Sequence, residues 1–391
     1  MANYVLSNAN RFYAAVESSY GQVAAVTQAN RFPAVRLSAH QAIVPGKRRD
    51  KTGTRTFLGS SPGARRETVF DLRTYLTSWT GIGVPSYGPL FQAALGGTPQ
   101  VSSGLTVAAT PSTTGIQTTA PHGLLVGSGV SFSGEIRFVT SVPDASSVVV
   151  NAPFSNSIPA GASLATTATY TLGTALPSLS VYDYWDPAST VSRLVTGAVV
   201  NQLAIAVNGD FHDFTFAGYA ADLLDSMSFA AGNTGGGITT FPVEPTPGQF
   251  DYSIVPGHLG QAWLGQVPQQ FMTLTAAQIH VNNNISMRTY EFGSSYPRSA
   301  VPGPRAVSSS FSVFTQDDTG TNALYVAAKQ RMTIPAMLKL GQQQGQLIAI
   351  YLPAVTPEIP EFNDTESRLQ WTFTNNLAQG TSNDEMVIAF A

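Results

Sequence analysis

Residues 203–218, LAIAVNGDFHDFTFAG, leave the backbone little choice. Leu203, Ile205 and Val207 alternate with Ala204 and Ala206, so every second side chain faces the same way, the period of a strand rather than a helix. Asn208-Gly209 supplies residues that tolerate φ > 0 at a bend, and Phe211 to Phe216 return as a second arm, which predicts a β-hairpin. Period two dominates wherever a period can be read. Only 11% of the 391 residues are charged, whereas Gly 35 and Pro 25 supply abundant turn formers; an average soluble protein is about 25% charged. Aromatic residues at 10% argue against a disordered composition. The chain therefore reads as all-β, in two or three domains. Its surface is polar but weakly charged, as expected where copies of the same chain cover most of the exterior. Zero Cys removes thiolate nucleophiles, iron–sulfur clusters and Cys-based zinc sites. The opening MANYVLSNANRFYAAVE has no basic segment followed by an apolar one, so no secretory signal is expected. The uncharged stretch 74–134 is broken by Gly81, Gly83, Pro85, Pro89, Gly96, Gly97, Pro99 and Pro111, and is not expected to cross a membrane.

The net charge of −3 conceals an asymmetry. Residues 1–73 hold 11 basic and four acidic residues, net +7, and the remainder holds nine basic and 19 acidic residues, net −10. A chain polarised in this way can attract copies of itself, basic loop to acidic face. The densest basic cluster is Lys47, Arg48, Arg49, Lys51 and Arg55. It reads as a solvated loop between strands, as a self-association surface or as a phosphate contact. No aromatic residues interleave with it, which counts against stacking on single-stranded nucleic acid.

Two pairs of segments suggest a duplication. QIHVNNNISMRTYEFG (278–293) resembles the hairpin above, with Ile279 and Val281 entering the bend and Tyr290 and Phe292 on the return. GSSPGARRETVFDL (59–72) resembles GSSYPRSAVPGPRAVSSSFSVF (293–314), in which Phe70 with Leu72, and Phe311 with Val313, share strand faces. A short helix is expected after each strand: Leu90, Phe91, Ala94, Leu95 stopped by Gly96-Gly97, and Ala323, Leu324, Ala327, Ala328, Met332 stopped near Pro335. The fold class is thus mainly β, with two tandem barrel or sandwich units each carrying a short helix. Residues 98–170, with only Glu135, Arg137 and Asp144 as charges, read as an inserted β-module of four or five strands, the part least tied to the repeat and expected to decorate the outside. The first unit comprises 1–97 and 171–232; a Gly/Pro linker spans 233–249; the second unit is 250–391.

Candidate chemistry is sparse. His212 between Asp210 and Asp213 has the composition of a metal site, but Asp at a hairpin bend has an ordinary backbone reason, and a structural role is favoured. Asp317-Asp318 and Asp384-Glu385 lie in turn-like sequence. Tyr182, Tyr184 and Trp185 in SVYDYWDP suit either a sugar-stacking platform or, the favoured reading, core packing. No nucleophile elbow, zinc-protease helix, phosphate loop or dinucleotide fingerprint is present. Neither an enzyme nor a cofactor is expected.

The order of elements resembles the tail tube (major tail) proteins of long-tailed bacteriophages, of the type with two barrel units per chain. The likeness rests on Tyr20-Gly21, the basic loop and strand at 47–76, PLFQAALGG (89–97), VVNQLAIAVNGD (199–210) and the strand-helix at 305–332; the module around His122-Gly123-Leu124 and Gly127 is similar to small β-modules of such structural proteins. The resemblance implies rings that stack into a conduit for the phage genome. Two barrels per chain imply a pseudo-sixfold trimer, and Lys47, Arg48, Arg49, Lys51 and Arg55 fall in the inter-ring stacking loop. The implied partners are the chain itself, a tape-measure protein, tail-tip and terminator proteins, and DNA that passes without specific binding; no membrane is involved. The implied location is the virion tail, assembled in the host cytoplasm. A capsid, decoration or baseplate component, or a carbohydrate-binding β-protein, are the alternative readings.

Overall fold

The structure is a computed structural model of the 391-residue chain and describes all residues except 1–3, 48–49, 57–58, 80–82, 230–236, 247–251, 266 and 366, with the side chains of Lys47 and residues 60–64 also outside the description. The fold is mainly β, with large antiparallel sheets, one of them curved as a half-barrel. Among the described residues, 19 strands join into one hydrogen-bonded network, five form a separate sheet and two form a small ribbon.

Within the network eight strands run side by side, all antiparallel: Arg36–Lys47, Ser60–Tyr75, Asp213–Ala220, Arg193–Val207, Leu274–Asn282, Ala306–Phe314, Gln370–Ala378 and Glu361–Asn363. The hairpin at 203–216 forms as the alternation demands. Leu203, Ile205, Val207, Phe214 and Phe216 are buried, and Asn208 takes φ +65° at the bend. The two halves meet in a ladder running from Gln202↔Asn282 to Val207↔Ala277. One hydrophobic core accordingly spans both halves, from Phe12 to Phe390.

Both expected helices form, the first ending where the sequence places its stop. The second ends earlier than expected, at Gln330 with Arg331 in the left-handed region at φ +53°, while Pro335 lies inside the strand Ile334–Leu340. Helix α1 (Gly88–Leu95) has Pro at its first turn and ends on Gly96 at φ +90°, a conformation that suits glycine. Its Phe91 sits at the centre of the core, with ring centroids 5.2 Å from both Phe214 and Phe216 and 5.1 Å from Phe390. Helix α2 (Thr319–Gln330) is capped by Asp318, whose carboxylate accepts from the Thr321 backbone N–H at 2.7 Å. That accounts for half of the Asp317-Asp318 pair. Asp384 plays a comparable part in a turn, accepting from Thr381 and Ser382.

Residues 278–293 are not a hairpin. Leu274–Asn282 instead pairs with Ala306–Phe314, and Tyr290 and Phe292 lie exposed on the excursion between them. The bend fails because Asn283 is drawn inward: its side-chain amide donates to Ala94 O and Val200 O, both at 2.9 Å. Each half thus contributes one hairpin with a long tip, 36–75 and 274–314, each followed by a helix.

The module at 98–170 differs from expectation in its attachment. Its five-stranded sheet runs from Val107 to Val150 with a small core of its own around Val130, Val139 and Val148. One face, through Ile136 and Phe138, is buried on Trp263, Met337, Tyr351, Val387 and Ala389 of the second half, and Phe138 stacks on Tyr351 at 5.4 Å. Two of its few charges hold this joint. Arg137, fully buried, donates to Glu135 (2.8 Å), to Ile136 O and to Pro153 O, and lies over the Trp263 ring. Glu135 also accepts from Gln261, and Lys339 donates to Gly134 O. Burial lowers Lys339 to about 8 and Arg137 to about 10.

The described part of the 233–249 segment, Gly237 to Thr246, lies as a strap across the first-half sheet, with Phe241 packed beside Tyr13, Tyr182 and Tyr184. Glu244 accepts from Arg11 at 2.5 and 2.7 Å and from Tyr13. Burial and the bond to Glu244 raise Tyr13 to about 12.

Strand Arg193–Val207 passes from one sheet ladder to another beside Gly197, at φ +62°, where an added Cβ would meet the Ala221 Cβ at 2.6 Å. The buried Glu17 carboxylate staples this junction, accepting from Gly197 N, Gly21 N, Ser178 Oγ, Ser180 Oγ and Thr196 Oγ1 at 2.6–3.0 Å. Removing such an acceptor leaves several buried donors unpaired, each a loss of about 1–3 kcal/mol. Glu17→Ala is expected to lower stability by about 4 kcal/mol, and Gly197→Ala by about 3 kcal/mol through strain and crowding. Urea unfolding followed by tryptophan fluorescence checks both; a loss under 1 kcal/mol in either would mean that the junction relaxes.

Candidate assembly surface

The eight-stranded sheet has one face on the core and one outside. Register assigns the outer face. Ser312 lies opposite Thr372 and Ala276, Ser310 opposite Gln278, and Ser308 opposite His280. Ala204 lies opposite both His280 and Thr215. These are small or polar uncharged side chains. Where charges enter they neutralise one another: Arg36 pairs with Asp71 at 3.1 Å and Arg73 with Asp213 at 2.8 Å. The bond to Asp213 raises the Arg73 pKa further above its ordinary value. Among the described residues such a face has no array of unpaired cations to hold phosphate.

The sheet's two edges are unlike. Among the described residues, on one side the 12-residue strand Arg36–Lys47 pairs with Ser60–Tyr75 alone. On the other, Gln370–Ala378 is covered by the three-residue strand Glu361–Asn363 at 370–372 and by Ile348–Thr356 at Leu377 and Ala378, which leaves a short edge. Uncovered edges are templates for pairing with another chain. An edge that fits a different edge makes a head-to-tail contact, which closes into rings.

The two ends of the sheet differ in charge. Both long tips lie at one end, the arm end, because Asp71, Ala217, Gln202, Asn282 and Ala306 are in register, and the chain runs on from Asp71 toward the first tip and from Asn282 into the second in the same direction. The tips touch: Tyr290 Oη donates to Glu67, Arg65 lies over the Tyr290 ring at 4.6 Å, and the Arg66 backbone N–H donates to Ser295 O. Arg288 and Arg298 pair with Glu291, Arg66 pairs with the buried Asp222 at 2.8 Å, and Lys51 and Arg55 are exposed on the first tip. At the opposite, turn end, marked by Asn208, the exposed Asp210, Asp317, Asp318 and Asp364 outnumber Arg368.

Of the basic residues singled out from sequence, Lys47 ends the strand Arg36–Lys47, Lys51 and Arg55 lie exposed beyond it, and Arg48 and Arg49 fall outside the described residues. The second tip at 283–305 was missed because its residues were read as a return strand. The two stretches of 12 or more residues separating paired strands were its available signal. The metal reading of His212 finds no support. Among the described residues no group of three His, Cys, Asp or Glu is placed to hold a metal ion. His212 is fully buried, with Nε2 3.3 Å from Leu259 O, while Asp213 turns to Arg73. The aromatics of SVYDYWDP are also taken up by packing, with the hydroxyl groups of Tyr182 and Tyr184 donating to Ala24 O and Pro242 O.

No protein-family model and no curated protein sequence matches the chain.

Burial lowers the His212 pKa from 6.5 to about 4. The folded state therefore binds fewer protons than the unfolded chain between these values. The stability associated with the neutral ring is complete above pH 6.5 and is lost as pH falls through about 4, by about 3 kcal/mol. His212→Gln is expected to flatten the pH dependence of the urea midpoint, so that the parent-minus-variant difference falls between pH 7 and pH 4.5; a difference that stays constant would mean that folding does not shift the His212 pKa.

Proposed function

We propose that the chain is a self-assembling structural protein of a virion, and that its copies build the stacked rings of a bacteriophage tail tube, the conduit for the genome. The observation that carries this reading is the open eight-stranded sheet: unlike free edges, a nearly uncharged outer face, and basic and acidic ends. Unlike edges favour a closed head-to-tail ring, and opposite ends favour stacking of ring on ring. A near-neutral wall lets a polyanion slide, since each phosphate held by a cation would add a salt-dependent grip. With eight strands per chain in two similar hairpin-bearing halves, three copies give a ring of sixfold character. The tape-measure, tail-tip and terminator proteins are the partners such a tube requires, and the role is structural rather than catalytic. Lys51 and Arg55, exposed beyond the strand Arg36–Lys47, stand at the arm end, and the basic stretch they belong to is the part that meets the acidic turn end of the next ring.

The reading predicts tubes or stacked rings with threefold or pseudo-sixfold end views when the purified protein is concentrated and imaged by negative-stain electron microscopy. Closed shells would favour a capsid component, and a monomer that persists both alone and with tail-tip complexes would overturn the proposal. Arg48→Gln with Arg49→Gln is expected to lengthen the assembly lag several-fold and to weaken its salt dependence without changing the melting temperature. Unchanged kinetics would remove the basic tip from the contact.

A further inference from the structure

At the turn end, helix α2 borders an apolar groove of about 370 Å³, lined by Leu264, Val267, Phe271, Leu324, Val326 and Met332. Val267 is 75% exposed, and Val326 and Met332 are each close to half exposed, so the groove opens outward with its apolar walls bare. The arm end carries the complementary shape. Phe292 stands 102% exposed on the second tip, with its backbone C=O accepting from Arg298 and its neighbour Tyr290 braced on the first tip.

Groove and knob belong to opposite ends of one hairpin. The tip leaves strand Leu274–Asn282 after Asn282, whereas Phe271 lies just before Leu274 and Thr319 just after Phe314. At about 3.3 Å per residue the nine-residue strand holds them roughly 30 Å apart, so a chain cannot fill its own groove. The flanking charges differ in balance. On the tips Lys51, Arg55 and Arg65 exceed Glu67, with Arg66, Arg288 and Arg298 paired to Asp222 and Glu291. At the turn end Asp317, Asp318 and Asp364 exceed Lys329 and Arg368, with Arg331 paired to Glu358. A second copy translated along the strand direction brings basic end to acidic end and Phe292 to the groove.

We propose that the apolar groove beside α2 receives Phe292 of a second copy, so that the tip 283–305 is a second stacking element beside the basic one. This rests on the tube reading for its direction of stacking. The contact is head-to-tail and unclosed, the geometry that propagates a filament rather than a dimer. Burying one Phe side chain adds an apolar, salt-insensitive part to an otherwise electrostatic contact.

The cysteine-free chain makes the test clean. Full-length F292C and A323C, each carrying one thiol, are mixed at assembling concentration and oxidised, with S310C on the outer sheet face replacing A323C as control. The expected result is a disulfide-linked dimer from F292C with A323C, at least tenfold above the control pair. In parallel, F292A is expected to raise the concentration needed for tube formation at least tenfold in high salt, with the melting temperature unchanged because the ring is exposed. Tubes that form without the cross-link, and with F292A assembling as the parent does, would overturn the knob-and-groove contact and leave the tube reading standing. Absence of both tubes and cross-link would overturn both, and a cross-linked dimer without tubes would support the contact while removing the conduit.

Discussion

One strand, Arg193–Val207, carries the architecture. Along its first turns it pairs with Leu179–Trp185 and Asp222–Asp225; further on it pairs with Asp213–Ala220 on one side and with Leu274–Asn282 of the second half on the other. A backbone can serve two ladders in this way only if it twists sharply between them. The residue at that point is Gly197, at φ +62° and packed against Ala221 so closely that a methyl group would clash. The Glu17 carboxylate gathers the donors that the bend exposes. The core of both halves, with Phe91 of α1 at its centre, follows from that continuity.

The chain uses its few charges in two distinct ways. Buried ones are enclosed by donors or acceptors: Glu17 by hydroxyls and amides, Asp183 by Arg193 and Asn10, and Arg137 by Glu135 and carbonyls. This is the condition under which an ion can remain in a low-dielectric interior. Among the exposed ones, Lys51 and Arg55 lie at one end of the sheet and Asp210, Asp317, Asp318 and Asp364 at the other, while those on its outer face, Arg36 with Asp71 and Arg73 with Asp213, neutralise one another. Segregated charge does little for the stability of one chain, because exposed ion pairs contribute only about 0–1 kcal/mol each. Its physical consequence lies between molecules, where it orients approach before any apolar contact forms.

Much of the fold was legible because strand and turn signals are local. The alternation at 203–207 and the Gly96-Gly97 stop each settle a few residues of backbone without reference to anything distant. The pairing of Phe70 with Leu72 and of Phe311 with Val313 was legible for the same reason, since period two assigns faces directly. The excursion at 278–293 was misread for a physical reason. A run of Asn after an alternating strand reads as a bend, but the side-chain amide of Asn283 donates to Ala94 O and Val200 O, far away in the chain, and no local pattern announces those partners. Glu135 and Arg137 looked like stray charges in a neutral module, and only the approach of Gln261, Trp263 and Lys339 makes them its anchor.

Composition and periodicity alone determined that this chain is a mainly β protein with two short helices, a polar, weakly charged exterior and an uneven distribution of charge. These properties depend on side-chain type and on spacing along the chain. Tertiary structure decided which strands meet, that one core spans both halves, that the module at 98–170 sits on the second half, and that basic and acidic groups occupy opposite ends of one sheet. Those outcomes depend on contacts between residues 80 or more positions apart, such as Glu17 with Gly197 or Gln202 with Asn282. The register of such contacts is set by closure of the whole core and not by any local preference.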